Sequence, residues 1–284
     1  MRIHFIERRM ADDSLFLIDI DKILREKAPK QSKYIPKFVI SYLKRIIHQE
    51  ELNVFLRDSK DRVGVDFLQA CLDFLDAKIV VKGEENLPKE GLCTLVSNHP
   101  LGGVDGVALG YVLGTFYKGK VKYMVNDLLM NLEPLRPIFV PVNKHGKQGA
   151  QAAQAHDAMY RSTDDIITFP AGLCSRLIEG QITDPPWRKT FVQKALRYGR
   201  PIVPVYIDGT NSRTFYRVAR WRKRLRIGAN LEMVLLPKEM FDQRGRHITI
   251  YIGAPIVVDA SRSADEWAHE IRQKCYELRN QRTL

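Results

Sequence analysis

A mixed, largely parallel β-sheet flanked by helices, preceded by a helical extension, is the fold the sequence predicts. Three observations predict it. From Lys78 onward, short apolar runs of strand length alternate with longer stretches of helical periodicity, the pattern of an α/β sheet covered on both faces. Residues 12–77 show helical periodicity alone. Two of the apolar runs stop abruptly at Pro/Gly turns that carry polar side chains, as strands do where an open sheet presents a site. The partition that follows is a helical extension over 1–77 and one main domain over 78–284. A chain of 284 residues with 45% hydrophobic residues can bury a large core, which excludes a disordered chain. No run approaches the roughly 20 apolar residues of a spanning helix. Met1 to Arg9 is basic without an apolar core, so no signal peptide is expected.

In the extension, Ser14 to Leu24 repeats apolar residues at helical spacing, and Pro29 ends the helix. Tyr34-Ile35-Pro36 opens a second, with Pro36 suited to its first turn. Its stripe of Phe38, Val39, Tyr42, Leu43, Ile46 and Ile47 lies opposite Lys37, Lys44 and Arg45. Such a helix packs on a domain or lies on a membrane surface, and packing is the commoner fate of the pattern. A third helix is expected over Val65–Ala77. The strand candidates are Ile79–Val81, Leu92–Val96, Val121–Val125, Ile138–Val142, Ile166–Phe169, Ile202–Ile207, Leu231–Leu235 and Ile248–Ile252. Helices are expected over Val104–Tyr117, Lys147–Arg161, Thr190–Tyr198 and Ala264–Arg282. Pro201 and Pro204 mark the Ile202–Ile207 run as an edge, a bulge or one end of an apolar channel, because proline is rare in central strands.

The net charge of +12 implies an anionic partner: a phospholipid surface, a nucleic acid or an acidic carrier. Much of it sits in Arg213–Arg226, where Arg217, Arg220, Arg222, Lys223 and Arg224 interleave with Phe215, Tyr216 and Trp221. By composition this segment suits an anionic bilayer, a nucleic-acid backbone or simply a solvated face. Cys71, Cys93, Cys174 and Cys275 are scattered, with no C-x-x-C and no zinc-ligand spacing, which fits reduced thiols in the cytoplasm.

The two strand exits carry the chemistry. The first runs Ser97-Asn98-His99-Pro100-Leu101-Gly102-Gly103-Val104-Asp105. Pro100 keeps His99 out of the helical region, and the glycines allow a close backbone approach. A nearby carboxylate can fix the tautomer of a histidine base and stabilise its imidazolium. The bland alternative is that His99 closes a strand and Asp105 caps a helix. The second exit is Phe169-Pro170-Ala171-Gly172-Leu173-Cys174-Ser175-Arg176, where Arg176 is the natural fork for phosphate or carboxylate or, alternatively, an exposed arginine of an ordinary turn.

Together these blocks resemble the PlsC-like lysophospholipid acyltransferase family over roughly Lys78 to Val257. Asn98-His99 with Asp105 resembles its His-x4-Asp motif, and Phe169-Pro170-Ala171-Gly172 its Phe-Pro-Glu-Gly motif. Ile138–Val142 stands at its acceptor-binding block, and Ile202-Val203-Pro204-Val205 resembles its Val-Pro-Val strand. The chain departs from the pattern in specific places. Five residues separate His99 from Asp105, Ala171 replaces the motif Glu, Leu173-Cys174 replaces Thr-Arg, and Asn143-Lys144 stands where the second block has its Arg. These departures point away from lysophosphatidic acid and toward the hemolysin-like branch, which includes acyltransferases making glycine and ornithine lipids.

The resemblance implies a glycerolipid acyltransferase-like fold and O-acyl transfer from an acyl thioester to a lipid hydroxyl, preferably that of a hydroxylated N-acyl amino acid. A 1-acyl-glycerol-3-phosphate acyltransferase is the alternative within the family. His99 is the expected base and Asp105 its orienting acid. Asn98, Gly102, Gly103, Lys144, Phe169, Pro170, Gly172 and Arg176 are the expected substrate contacts. Amides of the Gly102-Gly103 turn or the Phe169–Gly172 loop would hold the oxyanion, while Arg176 and Lys144 contact an anionic part of either substrate. A covalent route through Ser97, Cys174 or Ser175 lacks a nucleophile-elbow sequence. The donor would be acyl carrier protein or a CoA thioester, with no tightly bound cofactor, no metal and no nucleic acid. Arg217, Arg220, Trp221, Arg222, Lys223 and Arg224 would meet an anionic membrane, placing the protein in the cytoplasm on the inner face of the cell membrane. The rival class is a non-enzymatic basic protein that binds membrane or nucleic acid, which leaves four ordered blocks unexplained.

Overall fold

A computed structural model describes residues 17–27, 32–90, 92–125, 129–141, 147–226 and 231–283. Helices α1 (Ile20–Lys27), α2 (Lys37–Ile46), α3 (Gln49–Asp58) and α4 (Val65–Phe74) come first. Then β1 (Lys78–Lys82), β2 (Thr94–Ser97), α5 (Gly103–Phe116), β3 (Val121–Val125), β4 (Phe139–Pro141), α6 (Lys147–Arg161) and β5 (Asp165–Thr168) follow. A hairpin of β6 (Arg176–Ile178) and β7 (Gln181–Thr183) leads to α7 (Thr190–Tyr198), β8 (Ile202–Asp208), α8 (Arg213–Arg224), α9 (Leu236–Phe241), β9 (His247–Ile252) and α10 (Ala264–Glu277). Pro29 and Ser14 to Phe16 lie outside the described residues.

The main sheet has seven strands in the order β1-β9-β8-β2-β5-β3-β4. The run from β8 to β4 is parallel throughout; β9 meets β8 antiparallel and carries β1 parallel to itself. The expected mixed, mostly parallel sheet is therefore the observed one. Side chains alternate between its faces. Leu95, Ile167, Val203, Val205 and Ile207 enter one core with α4 and α5. Val96 and Ile202 enter a second with Phe191, Val192, Trp267 and Ile271 of α7 and α10. α5 is apolar almost all round because it lies between the sheet and α4. Gly110 makes that approach possible, since a Cβ there would stand 2.2 Å from the Tyr123 hydroxyl.

Four expectations change. Leu231–Leu235 is not a strand but a 3₁₀ turn leading into α9, whose first turn holds Pro237. The Ile202–Ile207 run is interior rather than an edge. Its Pro204 faces Gly253, just past the end of β9, and the Gly253 amide donates to the Pro204 carbonyl (2.9 Å). Pairing resumes between Ile202 and Ile256, two residues on one side against three on the other, so the proline sits at a bulge, one of the places expected for it. The hairpin β6–β7 and helix α3 were not expected. The α2 stripe divides: Ile47 is buried and Val39, Leu43 and Ile46 are half-buried, while Phe38 and Tyr42 are exposed. α3 and α4 place Leu56, Phe67 and Leu68 in the same core as the sheet.

Candidate active site

β2 ends at Ser97, and hydrogen bonds to the backbone hold the two residues that follow. Asn98 staples the exit of β2 to β8, its amide nitrogen donating to the Ile207 carbonyl (2.9 Å) and its oxygen accepting from the Ile207 amide (2.7 Å). The Asn98 side chain is thus a brace beneath the site. The next residue, His99, is fixed at both backbone groups. Its N–H donates to Asp184 Oδ1 (3.2 Å), and its carbonyl accepts from the Ser175 amide (2.8 Å).

The imidazole faces Asp105. His99 Nδ1 and Asp105 Oδ2 are 3.0 Å apart, and the same carboxylate oxygen accepts from the amides of Leu101 (2.8 Å) and Gly102 (3.0 Å). The turn between His99 and Asp105 passes through Gly102, whose φ of +79° is a conformation that glycine permits. A side chain there would also strike Leu236 and the Cys174 sulfur. Asp105 is inaccessible, whereas the His99 side chain is 19% exposed, so only the imidazole can reach a substrate. Phe169 stacks on it, ring centroids 4.3 Å apart.

Burial opposes charge on His99. The Cys174 sulfur beside it and the Asp105 carboxylate outweigh that penalty and hold the imidazole well above the ordinary histidine pKa. Burial raises the Asp105 carboxyl, while His99 and the two amides pull it back toward ionisation.

The loop after β5 closes the other side. Phe169 stacks on the imidazole, the buried Cys174 lies beside it, and the turn between them is closed by the Gly172 amide donating back to the Phe169 carbonyl (2.9 Å). Arg176 is taken up by partners other than the imidazole. It donates to Glu232 Oε1 (2.9 Å) and to the Cys174 carbonyl (2.7 Å), and lies over the Phe215 ring. Glu232 is fully buried and also pairs with Arg222, so Arg222 points inward while Arg217, Arg220, Trp221, Lys223 and Arg224 face solvent. Gly103 begins α5 beside Gly102. Lys144, Asn143 and Val142 lie outside the described residues.

Asp184 is the residue that sequence reasoning missed. It is buried and accepts from His99 N–H, from Ser175 Oγ (2.6 Å) and from Trp187 Nε1 (3.0 Å), while its own amide donates to the Tyr276 hydroxyl (2.8 Å). It therefore ties the histidine, the second loop and α10 together. The only signal was an acid leading into Pro185-Pro186-Trp187, which matches no motif.

The arrangement is a partly exposed imidazole with one nitrogen occupied by a buried carboxylate and an aromatic ring stacked on its face. That suits removal of a proton from a hydroxyl. An acyltransferase family model matches residues 22–283 of the chain. The chain is 57% identical over 272 residues to a lyso-glycine lipid O-acyltransferase of Bacteroides thetaiotaomicron, covering 95% of this chain and 100% of that protein. It is 53% identical over 273 residues to a protein of the same description from Phocaeicola vulgatus, covering 95% and 98%. The 1-acyl-sn-glycerophosphate acyltransferase PlsC of Thermotoga maritima, a solved structure, aligns with a TM-score of 0.46 at 16% identity, covering 85% of this chain and 89% of that one.

Proposed function

Since the chain belongs to the acyltransferase family, we propose that it moves a fatty acyl group from an acyl thioester to the hydroxyl of an N-(3-hydroxyacyl)glycine, a lyso-glycine lipid. The observation that carries the reading is the 3.0 Å contact between His99 Nδ1 and Asp105 Oδ2 at the exit of β2. The two relatives described as lyso-glycine lipid O-acyltransferases support the acceptor.

With Nδ1–H donated to Asp105, Nε2 is left with its lone pair toward the opening. It takes the acceptor's hydroxyl proton as that oxygen attacks the thioester carbonyl. The new C–O bond forms, the C–S bond breaks, and the imidazolium returns its proton to the departing thiolate. The Gly102 amide is already given to Asp105 and the Gly172 amide to Phe169. The first-turn amides of α5 at Gly103 and Val104, which have no intrahelical acceptor, are then the donors we assign to the oxyanion. Phe169 and Pro170 line the acyl path. The donor is carried by acyl carrier protein or CoA, and no tightly bound cofactor enters the scheme. Among the described residues no helix is long and apolar enough to cross a membrane. The exposed basic face of α8, with Trp221, holds the enzyme against an anionic bilayer where its acceptor resides.

The test is transfer of labelled acyl groups from an acyl-carrier donor, comparing the wild type with His99→Ala, on N-(3-hydroxyacyl)glycine and on lysophosphatidic acid. Product that depends on His99 and forms on the glycine lipid alone is expected. Product on lysophosphatidic acid alone overturns the acceptor, and equal product from His99→Ala overturns the site.

A further inference from the structure

A lyso-glycine lipid carries a carboxylate as well as a hydroxyl, and the site as described has no cation for it. Arg176 is committed to Glu232 and to backbone carbonyls. Arg272 donates to Thr183 Oγ1 and to the Asp184 carbonyl. Lys189 pairs with Asp265. The remaining guanidinium at the Phe169–Gly172 loop is that of Arg188.

We propose that Arg188 grips the free carboxylate of the acceptor's headgroup while His99 works on its hydroxyl. The proposal rests on the acceptor reading above. Three observations carry it. First, the base of Arg188 is fixed to the catalytic loop: its amide donates to the Pro170 carbonyl (3.1 Å), and its neighbour Trp187 is locked to Asp184, which also holds His99. Second, its guanidinium lies along the open side of Gly172. A Cβ on Gly172, whose φ of +66° calls for glycine, would stand 3.9 Å from Arg188 Cζ and 4.0 Å from Nη2, which places the fork directly against the turn. Phe169, at the other end of that turn, stacks on His99. Third, Arg188 is exposed, and among the described residues no carboxylate is paired with it.

The chemistry of the acceptor sets a reach. In an N-(3-hydroxyacyl)glycine the hydroxyl and the carboxylate are about two residue lengths apart, roughly 7 Å. A headgroup contact must therefore come from an element close to His99, and the Phe169–Gly172 loop is one, since Phe169 stacks on the imidazole. A planar fork binds a carboxylate through two charge-assisted hydrogen bonds, which a lysine point charge cannot reproduce. Arg188 is thus a binding and specificity residue; it moves no proton.

The experiment measures binding of an N-acylglycine lacking the 3-hydroxyl, and of its uncharged glycinamide, to wild type, Arg188→Gln, Arg188→Lys and the control Lys189→Gln. Arg188→Gln should weaken the acid about 10- to 100-fold and leave the amide unchanged. Arg188→Lys should recover part of the loss, and Lys189→Gln should match wild type. With N-(3-hydroxyacyl)glycine as substrate, KM should rise by the same factor while kcat stays within about twofold. Folded Arg188→Gln that binds the acid as wild type does overturns the proposal. The two readings separate cleanly. Arg188-dependent acid binding with transfer only to another acceptor leaves this subsite standing and removes the glycine-lipid assignment. Transfer to glycine lipid that ignores Arg188→Gln does the reverse.

Discussion

The exits of β2 and β5 look alike in sequence and differ in what their polar groups do. Each strand ends at a proline- and glycine-bearing turn with an ionisable side chain beyond it, His99 in one case and Arg176 in the other. At the first exit the partner of the ionisable group, Asp105, is sealed in and leaves the imidazole partly open. At the second, the partner is a buried acid from a distant segment, Glu232, and Arg176 is itself largely buried against it. A polar residue at a strand exit becomes a site residue when its partner supports it from behind, and a structural tie when its partner lies to the side.

The largest expected effect breaks the first exit. Asp105→Asn keeps the shape but turns an acceptor into a group that can donate, so His99 loses both its tautomer and its counter-charge. A fall in kcat of about 10⁴-fold is expected, the size seen when a buried acid behind a catalytic histidine is neutralised. The same pair sets the pH profile. A protonated His99 cannot accept the hydroxyl proton, and its pKa is held above the ordinary histidine value of 6.5. In the wild type kcat/KM should therefore climb with pH through a step on the alkaline side of 6.5, and in Asp105→Asn the residual activity should climb at lower pH. A wild-type step at or below 6.5 would show that Asp105 and Cys174 do not act on the imidazole as described.

The second exit is broken at Glu232. Glu232→Gln leaves the Arg176 and Arg222 guanidinium groups, both largely buried, without their shared charge. Stability should drop by about 3–5 kcal/mol in urea denaturation. Below its melting range the variant should keep kcat within a few fold if Arg176, committed to Glu232 and to the Cys174 and Ser175 carbonyls, serves the fold rather than the acceptor. Intact stability with lost transfer would reverse the contrast and return Arg176 to the site.

Between the two stands Asp184, which touches both exits. Asp184→Asn keeps its volume and one acceptor oxygen but removes the charge that gathers three donors, so His99 is left less firmly placed. A 10- to 100-fold fall in kcat is expected, since small displacements at a reacting group cost about that much. KM for the donor should stay within about twofold, and Asp184→Glu should not rescue, because the cavity is sized for the shorter acid. A proportionate rise in KM without loss of kcat would make Asp184 a support of the substrate-binding surface instead.

How much of this was legible depended on distance along the chain. The sheet was readable because buried parallel strands write themselves as short apolar runs, as at Leu92–Val96 and Ile202–Ile207. The His99–Asp105 pair was readable because six positions separate its members. Leu231–Leu235 misled for the same reason that the others succeeded: it is an apolar run. Its Glu232 is held inside by arginines 56 residues earlier and 10 residues earlier, which no local pattern records. The hairpin β6–β7 was too short for periodicity, though Glu179 and Gly180, with φ of +49° and +82°, are the left-handed pair of a tight turn. Asp184 was invisible because its partners at 99, 175, 187 and 276 converge only in the folded sheet.

The smallest effect concerns α8, where the same contrast appears within one helix. Arg220 faces solvent beside Trp221, which is 66% exposed, whereas Arg222 turns in to Glu232. If the outer face meets an anionic bilayer, Arg220→Gln should weaken partition onto phosphatidylserine-containing vesicles by about 1 kcal/mol, roughly fivefold, with no change in melting temperature. Arg222→Gln should do the opposite, lowering the melting temperature while leaving partition as it was. Added salt should shrink the Arg220 effect, because an exposed charge at a membrane surface is screened within about 8 Å at physiological ionic strength, and should barely touch the Arg222 effect, whose ion pair is shielded from solvent. Equal partition losses in both variants would mean that α8 reaches the bilayer only after Glu232 releases its arginine. The helix would then be a part that moves on binding, and the inward arginine would belong with the membrane face after all.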